Sequence, residues 1–282
     1  MTQQNNNSPI YHYTSVAGLF GMLNSISSEN TITKRATHSL YMNDPMEFSY
    51  GAKLLDSVIK GIEEKLMIDE KERIAGALSM PKILQAQSEI EGHIGVPYIS
   101  SFSYVGDNLP MWRMYADNGK GVIIEFDKSK LLECSNDNRK LIDCRYYDSE
   151  KDIEKDKEYY QSEYERLKNL YRRRETPKNK HENILIFAFH ISALLSPMIK
   201  HTAYEYEQEF RIVSYKEGNT QYRESNGMII PYVDIDIPID SIRKIHIGPN
   251  ADYGLLRNSL RMFQYSKGIN IDIDKSKIHY RG

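Results

Sequence analysis

Residues 97–126 read PYISSFSYVGDNLPMWRMYADNGKGVIIEF, and this stretch decides how the rest of the chain is arranged. Pro97 to Ser103 reads as a strand. Pro110 to Ala116 reads as a short helix, because proline fits a first helical turn and the residues after it are good helix formers. Gly121 to Phe126 is a branched, apolar run of the kind that fills a buried strand. Leu141 to Tyr147 reads as one further strand, so this block is the centre of a sheet.

Working outward, Ile10 to Thr14 is a short strand followed by a helix over Val16 to Ser25, with Thr14 or Ser15 as its cap. Thr31 to Thr37 is extended, and Asn43-Asp44-Pro45 is turn chemistry. A helix from about Met46 to Leu66 follows, with Phe48, Leu54, Leu55, Val58, Ile62 and Leu66 at mostly helical spacing. Towards the C-terminus, Glu150 to Arg174 interleaves acids and bases with tyrosines at 159, 160, 164 and 171. It reads as a long, largely exposed helix. Its basic end, Arg172-Arg173-Arg174 with Lys178 and Lys180, suits either a solvated helix terminus or a phosphate partner. His181 to Lys200 is an apolar core helix broken near Pro197. Strands over Glu209 to Tyr215, Met228 to Asp236 and Arg243 to Ile247 precede a helix from about Tyr253 to Phe263 and closing strand segments near Ile271 and Ile278.

The expected fold is therefore α+β: a disordered segment at 1–9, then a single domain over 10–282 with split mixed and antiparallel sheets and a charged helical insertion at about 150–200. A chain of 282 residues buries a sizeable core without staples. Lysine plus arginine number 37 against 39 acids, a net charge of −2, so no global field favours nucleic acid or an anionic membrane. Two cysteines are too few for a disulfide framework, and no apolar run reaches membrane-spanning length. The polar start MTQQNNNSP lacks a secretion signal, which leaves the expectation of a reduced, cytoplasmic protein without a membrane partner.

Several familiar sites are absent from the sequence. There is no phosphate loop, no glycine-rich dinucleotide fingerprint, no His/Cys spacing for zinc and no nucleophile elbow. Polar residues at strand ends and turns remain. On the first strand His12 and Thr14 share one face, and Tyr11 and Tyr13 the other. Trp112 and Tyr115, three apart on the short helix, face together as an aromatic wall. In Tyr204–Val213, YEYEQEFRIV, a strand places Glu205, Glu207, Glu209 and Arg211 on one side. Three carboxylates there repel unless something relieves them. Either they form a site, or Arg211 and nearby lysines neutralise them.

Taken in order, YHYTS, RATHSLYMNDPMEF, SFSYVGDNLPMWRMYADNGKGVIIEFD, YEYEQEFRIV and IRKIHIGP resemble a widespread uncharacterised bacterial domain family. Its pattern is a YHYT-like start, an asparagine-aspartate-proline-x-glutamate turn, an SFS strand, a methionine-tryptophan-x-x-tyrosine helix and a glutamate-x-glutamate-x-arginine strand. The resemblance runs from Ile10 to Pro249. The layout is similar, more distantly, to the ADP-ribosyltransferase fold, especially toxins that modify nucleic-acid bases.

That resemblance implies an NAD-consuming enzyme, a toxin or phage-defence effector, that transfers ADP-ribose to a macromolecule, with nucleic acid as one acceptor, or hydrolyses NAD without a metal. Glu209 is then the carboxylate that meets the positive charge on the ribose, and Glu207 orients or deprotonates the acceptor. His12 holds the adenosine ribose with Thr14 beside it. Ser101 or Ser103 supports strand or ligand, Trp112 or Tyr115 stacks a ring, and Asn43 is a ligand contact. Arg35, Arg113 and Lys120 are diphosphate partners. Two other readings stand beside it: a non-catalytic nucleotide sensor or partner-binding domain, and a metal-dependent nuclease using Asp44, Asp107, Glu125 and Glu207.

Overall fold

The computed structural model describes residues 8–44, 47–78, 96–172, 180–215, 220–225 and 227–280. In chain order the strands are β1 (Pro9–Thr14), β2 (Thr31–His38), β3 (Tyr98–Ser103), β4 (Val122–Asp127), β5 (Arg139–Asp143), β6 (Arg145–Tyr147), β7 (Ile199–His201), β8 (Glu209–Ser214), β9 (Gln221–Ser225), β10 (Met228–Pro238), β11 (Ile242–Ile247) and β12 (Asp272–Lys275). The α-helices are α1 (Val16–Asn24), α2 (Glu47–Lys65), α3 (Leu109–Tyr115), α4 (Lys128–Leu132), α5 (Glu150–Ile153), α6 (Lys157–Arg172), α7 (Lys180–Leu195) and α8 (Tyr253–Lys267).

Among the described residues, ten strands form one branched sheet with the path β12-β11-β4-β1-β3-β2-β10-β9, and β8 joins β3 to β5. The branch is set at β3. One of its edges pairs along its whole length with β8, from Tyr98↔Ser214 to Ser103↔Glu209. The other edge is shared: β1 takes the far end at Tyr11↔Ser103, and β2 takes the near end at Thr37↔Ile99 and His38↔Tyr98. β1 and β2 therefore diverge, and the sheet splits over the middle of β3. The expected separate sheets are instead one sheet with a split in it, because two strands compete for one edge. Parallel pairing occurs between β11 and β12 and in the separate pair β6 and β7.

Strand alternation sorts the sheet's two faces. Ile10 of β1, Ile32 and Ala36 of β2, Phe102 of β3 and Ile212 of β8 point to a core shared with α1 and α8. α1 begins at Ser15, whose hydroxyl accepts from the Gly18 amide, and α8 begins at Asp252 and ends on left-handed Gly268. A second core, of α2, α6 and α7 with Tyr147 of β6 and Ile199 of β7, includes Leu55, Ile62, Tyr160, Tyr164 and Ile191.

Several expected elements differ in form. The segment 141–147 is two strands, because Cys144 lies between β5 in the main sheet and β6 in the small one. The expected long exposed helix is broken by a 3-10 turn at Glu154–Asp156, and Tyr160 and Tyr164 are fully buried against α2 and α7. Its charged residues form the outer face, while the tyrosines at helical spacing form the inner one. The stretch Thr202–Glu207 is a 3-10 helix and not a strand. No strand forms at Ile278, and β9 was not expected from the sequence. Pro9 already belongs to β1, while 1–7 of the expected disordered segment, and Pro45 of the turn, lie outside the described residues. Arg173, Arg174 and Lys178 also lie outside them, as do the side chains of Arg172 and Lys180.

Candidate functional site

The split holds a cavity of about 1020 Å³, at the upper end of the range of roughly 300–1,000 Å³ typical of small-molecule sites. Its floor is a side-chain bridge where strand pairing is missing. His12 Nδ1 lies 3.1 Å from the Ser101 carbonyl oxygen, and Lys34 Nζ lies 3.2 Å from His12 Nε2. A carbonyl only accepts, so Nδ1 carries the proton and Nε2 accepts from Lys34. Burial and the neighbouring amine hold the imidazole well below its usual value. Lys34 is only 4% exposed, its amine sits 5.0 Å from the Phe102 ring centroid, and burial pushes its pKa down to about 7.

The cavity wall on the β8 side is a buried ion network. Glu209 Oε1 and Oε2 accept from the fork of Arg211, each at 2.8 Å, and Oε2 also accepts from Lys200 Nζ at 2.7 Å. Glu207 Oε2 accepts from Lys200 at 2.6 Å, and its Oε1 accepts from the Tyr115 hydroxyl at 2.7 Å. Glu47, at the start of α2, pairs with Arg211 and lies 3.7 Å from Lys200. Arg211 Nη1 donates to the Pro197 carbonyl at 2.6 Å. Three carboxylates thus face two cations, all buried or nearly so. Burial opposes the ionised form of Glu209, but Arg211 and Lys200 outweigh it and hold the carboxyl at about 2. Burial likewise opposes the charged form of Lys200, and the acids around it, Glu209 foremost, push its pKa up. Burial and the Glu207 carboxylate push the Tyr115 phenol up.

Local structure explains why these groups meet. Glu207 closes the 3-10 helix, left-handed Gln208 (φ 40°) turns the chain, and Glu209 opens β8. The two acids converge through that turn and not through strand alternation, and Glu205 is exposed outside the network. Lys200 is delivered by the short β7, paired with β6. The Tyr146 hydroxyl accepts from the Glu209 amide at 2.7 Å. Tyr115 ends α3, which starts at Asn108 capping Met111 and at Pro110.

Of the residues singled out from the sequence, His12, Asn43, Ser101, Ser103, Tyr115, Glu207 and Glu209 line the cavity, as do Arg35 and Asp44. The Ser103 hydroxyl is committed to the backbone, donating to the Glu207 carbonyl at 2.5 Å and accepting from the Val105 amide. Trp112 does not line the cavity: it is fully buried, its indole N–H donates to Asp107 at 2.8 Å, and its ring packs edge-on against Tyr13. The expected aromatic wall therefore reduces to Tyr115. Thr14 ends β1 against the first turn of α1, outside the cavity lining. Arg113 and Lys120 are exposed and also outside it.

The four acids of the nuclease reading are dispersed. Asp107 accepts from Trp112, Ser276 and Lys277, Glu125 pairs with His246 at 2.9 Å, and neither lines the cavity. Among the described residues no three His, Cys, Asp or Glu side chains form a group suited to a metal. Sequence reading gave no role to Lys34, Lys200 or Glu47. For Lys34 the signal was present: Ile32, Lys34 and Ala36 alternate, which puts a lysine on an apolar strand face.

No helix among the described residues is long and apolar enough to cross a membrane. No curated protein and no solved structure matches the chain. A sequence model of the family described as proteins of unknown function, DUF2971, matches residues 111–212, a stretch that contains Tyr115, Lys200, Glu207, Glu209 and Arg211 and leaves out His12, Lys34 and Glu47.

Proposed function

We propose that the chain consumes NAD, breaking the bond between nicotinamide and ribose and passing ADP-ribose to water or to a macromolecule. One observation carries the reading: Tyr115, Glu207 and Glu209 line the same cavity as His12 and Ser101, in the split of the sheet. In the reaction the ribose C1′–nitrogen bond breaks and its electron pair leaves with nicotinamide, which departs neutral. Positive charge develops on the ribose ring, and a fixed carboxylate lowers its energy. Glu207 has this role. Each of its oxygens accepts one bond, from a phenol and from a lysine, whereas Glu209 accepts three charge-assisted bonds and faces the full guanidinium of Arg211. Glu209 is then a positioning residue that anchors Lys200. Water or an acceptor group forms the new bond to C1′ and gives its proton to Glu207.

The test is nicotinamide release from NAD by the purified protein, followed by chromatography. Glu207→Gln is expected to slow release by about 10²-fold or more when read at a temperature where the variant, which leaves Lys200 with one fewer buried carboxylate, is still folded by circular dichroism. Unchanged turnover in that variant removes Glu207 from the chemistry. A second reading, a nucleotide sensor that binds without cutting, draws support from the full neutralisation of Glu209. Calorimetry showing tight NAD binding with no nicotinamide released selects it.

A further inference from the structure

The cavity lining includes chain neighbours that strand alternation sends to opposite faces: His12 beside Tyr11, Lys34 beside Arg35, and Phe102 beside Ser101. The space therefore enters the split and reaches side chains that a closed sheet would cover. His12, Lys34 and Phe102 share the face of Ile10, Ile32 and Ala36, and they meet there. Lys34 Nζ lies 3.2 Å from His12 Nε2 and 5.0 Å from the Phe102 ring centroid, and the imidazole and phenyl centroids are 5.9 Å apart. No carboxylate among the described residues offsets the burial of the lysine. An amine in such a place sheds its proton readily, and the neutral nitrogen keeps a lone pair. His12 Nδ1 donates to the Ser101 carbonyl at 3.1 Å, so Nε2 is held as the acceptor facing that nitrogen. A nucleophile, a base within hydrogen-bond reach and a group that orients the base are the parts of an activated covalent site.

We propose that the Lys34 amine is a covalent site for a small carbonyl ligand, an aldehyde or ketone, which it takes up as an imine with His12 as the proton carrier. The nitrogen lone pair attacks the carbonyl carbon and forms the C–N bond, while the carbonyl π pair moves onto oxygen. The nitrogen passes one proton to His12 Nε2, which returns it to that oxygen to give a neutral carbinolamine. The second amine proton then leaves with the hydroxyl group as water, and the C=N bond remains. One amine and one carbonyl give one imine and one water, with nothing oxidised or reduced. The site rests on the geometry of the split, and not on cleavage of NAD.

The test is reductive alkylation of the full chain with acetaldehyde and cyanoborohydride at pH 7, read lysine by lysine by peptide mass mapping. Lys53, whose side chain is 72% exposed, is the internal reference. An ordinary lysine is under about 0.1% neutral at that pH, against about half for Lys34. Lys34 is therefore expected to react at least about tenfold faster than Lys53, after its restricted access and lower basicity have taken back part of the advantage. In urea the two should react alike. His12→Gln should slow labelling of Lys34 and leave Lys53 unchanged. Lys34 reacting no faster than Lys53 in the wild-type protein, a result that needs no variant to fold, overturns the site. An unchanged Lys34 rate in folded His12→Gln overturns the part given to the imidazole. Nicotinamide release bears on the NAD reading alone and this labelling on Lys34 alone, so the failure of one is distinguishable from the failure of the other.

Discussion

Glu209 shows how burial changes the meaning of a residue. On a solvated strand its pairing with Arg211 and Lys200 would contribute about 0–1 kcal/mol each; at 5% exposure, loss of one member strands the others in low dielectric. Its folded pKa of about 2 against an ordinary 4.5 means that the folded state holds this proton more weakly than the unfolded chain. The resulting stability is fully present above about pH 4.5 and is lost as pH falls towards 2, on the order of 3 kcal/mol. Thermal melts of Glu209→Gln should therefore start lower at pH 7 and be flatter than the wild type between pH 4.5 and 2. Parallel pH profiles would show that this carboxylate does not carry the acid sensitivity. The neutralisation itself was legible in the sequence, because Arg211 follows the acids directly. Lys200 and Glu47 were not: Lys200 is only a few residues away but is brought in by the pairing of β7 with β6 and the turn that follows, and Glu47 comes from an element remote in the chain.

At the scale of elements, helices and strands with strong periodicity were legible nearly to the residue: Val16–Asn24, Thr31–His38 and Tyr98–Ser103 follow from caps, alternation and branched residues. The segment before β8 was not. YEYEQEF alternates like a strand, yet Thr202–Glu207 is a 3-10 helix and Gln208 takes φ 40°. Tertiary bonds decide it, as the Ser103 hydroxyl and Lys200 hold Glu207 where an extended chain would carry it past them. A β-branched residue at 208 cannot adopt that backbone cheaply. Gln208→Val should cost about 1–2 kcal/mol in a denaturant melt and reduce whatever turnover or ligand binding depends on Glu207, whereas Gln208→Gly should keep both. Equal stability of Val and Gly at this position would mean that the turn does not set the acids.

At the scale of the whole molecule, the α+β class and the single sheet centre were legible, but the split was not, because it depends on which strands share an edge. β3 is the element through which the β1-β4-β11-β12 and β2-β10-β9 wings are joined by backbone pairing. Hydrogen exchange with bound NAD is therefore expected to slow at β1 and β2 beside the cavity, with β11 and β12 unchanged. Uniform slowing across all strands would instead indicate general stabilisation, without a ligand seated in the split.

The seam between β1 and β2 carries no ladder of its own, so it can gape without tearing one. What crosses it at the floor is a side-chain contact between Lys34 and His12. A guest that drew the amine off the imidazole would remove that contact and leave the two strands tied by backbone pairing through β3.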